Sequence, residues 1–150
     1  MDFLKSVELV DRLSALTDEV LYNVQSIKEI VDSIEFIKKS KSSVSFKFHT
    51  KKIYVKKEER LSQILRCIDE ADTILEQIRY IEKEGLDIIN QFDSYEHNNL
   101  SNIDKIFLEQ HFQAIDFNKS NFTELVASVI EQLDDMIKTC NKMKNNIFKQ

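Results

Sequence analysis

A mainly α-helical fold is predicted by three observations: an elongated antiparallel bundle of three long helices and one short helix, with a β-hairpin inserted between the first two helices. The 150 residues include no proline and one glycine, Gly85, so the residues that punctuate frequently turning chains are almost absent. Apolar residues recur at alternating three- and four-residue spacings over long stretches, the repeat of a heptad seam. One short stretch instead alternates every second residue, as strands do. Sandwiches, barrels, alternating βα folds and glycine-rich phosphate loops all need turn residues that this chain lacks. The length fits one domain, 1–150, and an apolar fraction of 42% with a charged fraction of 31% belongs to folded proteins with a heavily charged surface.

The first helix is expected over 2–37. Val10, Leu13, Thr17, Val20, Val24, Ile27, Val31 and Ile34 form its seam, and Leu9, Leu16, Leu21, Ile30 and Ile37 widen it. So wide a stripe touches more than one neighbour, which favours a bundle over a two-stranded coiled coil. Over 42–57 the period changes: Val44, Phe46 and Phe48, then Ile53 and Val55, alternate with polar residues and predict the hairpin. The second helix is expected over 58–92, with Leu61, Ile64, Leu65, Ile68, Ala71, Leu75, Ile78 and Ile81 inward and Gly85 loosening or bending it. A polar loop follows. Ser101 and Asp104 read as a capping pair that starts a short third helix faced by Ile103, Ile106, Phe107, Phe112 and Ile115. The fourth is expected to start at residues 118–121, whose Asn and Ser side chains suit a cap, and to bury Phe122, Val126, Val129, Leu133, Met136, Cys140, Met143 and Ile147.

Nothing in this pattern commits to a reaction, and the chain reads as no enzyme. Its two cysteines, Cys67 and Cys140, fall on apolar seams and read as reduced core thiols. The three histidines have no metal-ligand spacing, so neither metal nor cofactor is expected. Glu109 and His111, like Glu96 and His97, read as surface residues. The acidic residues scattered through the first thirty positions leave no apolar leader, and no apolar run reaches the roughly 18 residues of a membrane span. A cytoplasmic protein is expected.

Charge is the informative feature. Residues 38–57 hold eight lysines (Lys38, Lys39, Lys41, Lys47, Lys51, Lys52, Lys56 and Lys57) and no Asp or Glu, leaving 13 basic against 26 acidic side chains elsewhere. Lysines at a sheet edge keep it soluble, and a cationic tip on an acidic body also orients partners. The expected function is therefore a protein–protein interaction module, an accessory, inhibitor or adaptor subunit. It would bind through the hairpin tip, Phe46, Lys47, Phe48, Lys51, Lys52, Tyr54 and Lys56, or through a helix face. The expected partner is a protein with an acidic or sheet-edge surface. Non-specific contact with a nucleic-acid backbone is the alternative, and the absence of Arg from the segment disfavours sequence readout. The wide stripes also predict self-association, as a dimer.

Overall fold

The computed structural model of the protein describes residues 3–42, 50–94 and 102–149, with side chains described over 4–39, 57–94 and 109–148. Of these residues all but Ser94 are helical, in three elements: α1, Phe3–Ser42; α2, Thr50–Asp93; and α3, Asn102–Lys149. The helices contribute to two compact units. Unit 1 comprises Met1–Tyr22 and Ile78–Val129, and unit 2 comprises Asn23–Gln77 and Ile130–Gln150. Each unit thus contains one part of every helix.

The cores are heptad seams with almost no polar content. In unit 1 Leu9, Leu13, Leu16 and Val20 of α1 are buried, with Ile78, Ile81, Ile88 and Phe92 of α2 and Ile115, Phe122, Val126 and Val129 of α3. In unit 2 the corresponding residues are Ile27, Ile30, Ile34 and Ile37, then Ile64, Cys67, Ala71 and Ile74, then Leu133, Met136, Cys140 and Ile147. Each full burial of a Leu, Ile or Phe side chain contributes roughly 1.5–3 kcal/mol. The buried polar residues among those described are Ser6 and Thr17, and the Thr17 hydroxyl donates to the Leu13 carbonyl one turn back at 3.1 Å.

Three expectations are corrected. The hairpin is absent over the part of its range that the structure describes: 50–57, including Lys51, Lys52, Tyr54 and Lys56, is the start of α2. Residues 43–49, with Phe46, Lys47 and Phe48, lie outside the described residues. The physical reason is competition between a short period-two pattern with no turn residue and a run of strong helix formers. Lys51, Lys52, Lys56, Lys57, Glu58, Glu59 and Arg60 all favour helix, and Ile53 stands seven residues before Arg60, in phase with the seam at Cys67, Ile74, Ile81 and Ile88.

The short third helix and the long fourth are a single α3, and 118–121 lies within it. Phe112, Ile115, Lys119, Phe122 and Val126 keep the three-four rhythm without a slip, so no turn is needed to keep the apolar face inward. Asn118, read as part of a cap, donates instead to the Ala114 carbonyl one turn back at 2.7 Å.

The α1 seam is shifted. The row that completes it is Leu9, Leu16, Ile30 and Ile37, whereas Leu21 and Val31 are 51% and 41% exposed. Two adjacent rows are apolar, and pattern alone does not choose between them.

Gly85 lies within the continuous α2. A Cβ at this position would lie 2.1 Å from two atoms of the Phe122 ring, so the missing side chain leaves the space that receives the largest fully buried residue among those described. The cost of glycine in a helix, about 0.5–1 kcal/mol, is offset by the close approach it permits.

Candidate functional site

The residues expected at an interaction tip fall in different places. Lys51, Lys52, Tyr54 and Lys56 belong to the first turns of α2, with side chains outside the described set, and Phe46, Lys47 and Phe48 lie in 43–49. Over 50–57 helical geometry removes the two-faced strand that would have separated Ile53 and Val55 from the lysines.

The fold adds to the charge of this region. Residues 38–60 and 138–150 are far apart in sequence, yet both belong to unit 2. Together they hold thirteen Lys and Arg against Glu58 and Glu59, a net +11, while the rest of the chain holds eight basic against 24 acidic side chains, a net −16. The helix pairing accounts for the gathering. Cys140 of α3 and Cys67 of α2 are both buried seam positions of this unit. In unit 1 Phe122 of α3 meets Gly85 of α2.

Arg60 is the unusual member of this basic end. It occupies a seam position of α2, its Nε is buried with no hydrogen-bond partner among the described residues, and burial lowers the pKa of its guanidinium from the usual value. Lys38 forms a surface pair with Glu35 at 3.8 Å, a contact worth little in water.

Sequence reasoning missed a polar pair in unit 1. The Ser6 Oγ lies 2.6 Å from the His111 Nε2, with Ser6 5% exposed, and burial lowers the His111 pKa. A serine hydroxyl against an imidazole is the first geometric requirement of an activated nucleophile. The burial of Ser6 leaves no approach for a substrate carbonyl, so the pair acts as a satisfied polar layer within an apolar seam. One signal was present: Ser6 stands seven residues before Leu13 and fourteen before Val20, in phase with the core.

Near the edge of the same unit, Lys119 takes a seam position and donates to the Asp93 carboxylate at the end of α2, carrying its charge out of the core.

Unit 2 also contains a groove of about 450 Å³ between α1 and α2, floored by Ile37 and Cys67 and walled by Asp32, Phe36, Arg66 and Glu70. Its thiol is not poised for chemistry. Burial raises the Cys67 pKa, with Glu70 adding to the effect and Arg66 opposing it. Cys140 is pushed up to about 11, first by burial and then by Cys67, so both thiols are protonated and unreactive near neutrality. Both are free.

Among the described residues no group of three or more His, Cys, Asp or Glu is placed to hold a metal ion. Likewise, no described helix is long and apolar enough to cross a membrane. Compared with protein-family models, curated proteins and solved structures, the chain matches none.

Proposed function

We propose that the chain is a non-enzymatic protein-interaction module, an accessory, inhibitor or adaptor subunit, which engages an acidic partner protein through the basic end of unit 2. The observation that carries this reading is the charge segregation, +11 over 38–60 and 138–150 against −16 elsewhere. Such a field steers an acidic partner to one end and repels it from the remainder. The continuous seams support a scaffold role, and the buried Ser6–His111 pair and protonated thiols support a role without catalysis.

The reading includes a cytoplasmic location, supported by two free, buried thiols. It also includes a dimer, supported by Leu21, Val31, Leu65 and Leu86 on the outer sides of α1 and α2. Light scattering distinguishes a dimer from the 17.7 kDa monomer.

Capture of partners from the source cells, with and without nuclease, tests the main proposal against nucleic-acid binding. Replacement of Lys47, Lys51, Lys52 and Lys56 by Glu is expected to abolish capture while preserving the helical circular dichroism. Capture unchanged by this reversal and by added salt contradicts the proposal, and capture lost with nuclease assigns the end to nucleic acid.

A further inference from the structure

We draw no further inference here: the strongest candidate, the groove of unit 2 between α1 and α2 that is floored by Ile37 and Cys67 and walled by Asp32, Phe36, Arg66 and Glu70, carries nothing, because its walls mix opposite charges and nothing among the described residues shows what covers it.

Discussion

Units 1 and 2 are built from the same three helices yet differ in what fills their seams and in the charge around them. Unit 1 carries 14 acidic against six basic side chains, and its core includes a steric lock, Phe122 over Gly85, and a polar pair, Ser6 with His111. Unit 2 carries 12 acidic against 15 basic, and its described core is apolar, with two thiols in place of the lock and the pair. Shape and hydrogen bonding fix the register in unit 1. Apolar burial holds unit 2, where the surface charge is concentrated at one end. The difference teaches that one continuous heptad pattern supports two kinds of specification, and that the more generic core accompanies the more distinctive surface.

The largest expected effect is in the core of unit 2. Leu133→Asp places an unpaired carboxylate at a fully buried position and should cost at least about 4 kcal/mol, whereas Asp134→Ala should stay within about 0.5 kcal/mol. Thermal unfolding of the two variants gives the comparison, and equal melting temperatures would show that the face is misassigned.

Next comes the lock of unit 1. Gly85→Ala drives a methyl group into the Phe122 ring and should cost about 1–3 kcal/mol despite alanine's better helix propensity. Pairing it with Phe122→Leu should recover part of that loss in a double-mutant cycle. In unit 2 the sign reverses at Ala71, two heptads earlier in the same helix and also buried: Ala71→Gly should destabilise by about 1–2 kcal/mol through lost propensity and a lost methyl contact. A stabilising Gly85→Ala would remove the distinction between the two cores.

The smallest effects are titrations. Burial lowers the His111 pKa below its ordinary 6.5, so the unfolded chain binds more protons in that range, and stability should fall as pH drops below about 6.5 and through the lower folded value. Cys140 is raised from 9.0 to about 11, so there the folded chain holds the extra proton, and stability should fall as pH climbs from 9 through 11. Denaturant midpoints measured across pH should lose the acid limb in His111→Gln and diminish the alkaline limb in Cys140→Ala. An acid limb unchanged in His111→Gln would assign it to other groups.

Much of the fold was legible because heptads leave a strong mark. Every residue expected on the inward face from Phe122 to Ile147 is buried except Met143, which is half-buried. Cys67 and Cys140 were likewise read correctly as seam thiols. Errors arose where two local rules competed. Alternation at 44–55 suggested strands, and helix propensity together with the heptad phase prevails from 50 onward. Asn118 resembled a cap because asparagine caps helices, but an unbroken seam through Lys119 makes it an interior residue that bonds back to Ala114. The candidate surface was half legible. The lysine run is contiguous in sequence, whereas Lys142 and Lys144 fall in the same unit only through the fold, which no local pattern encodes. The Ser6–His111 contact spans 105 positions and was hidden for the same reason.

The central claim is that the basic end of unit 2 is the working surface. Hydrogen–deuterium exchange of the full chain, with and without a soluble oligoglutamate, tests it most directly. Protection confined to peptides from 38–60 and 138–149 is the predicted result, since bound segments slow local opening. Protection in peptides from 3–22 or 78–129, with none at the basic end, would contradict it.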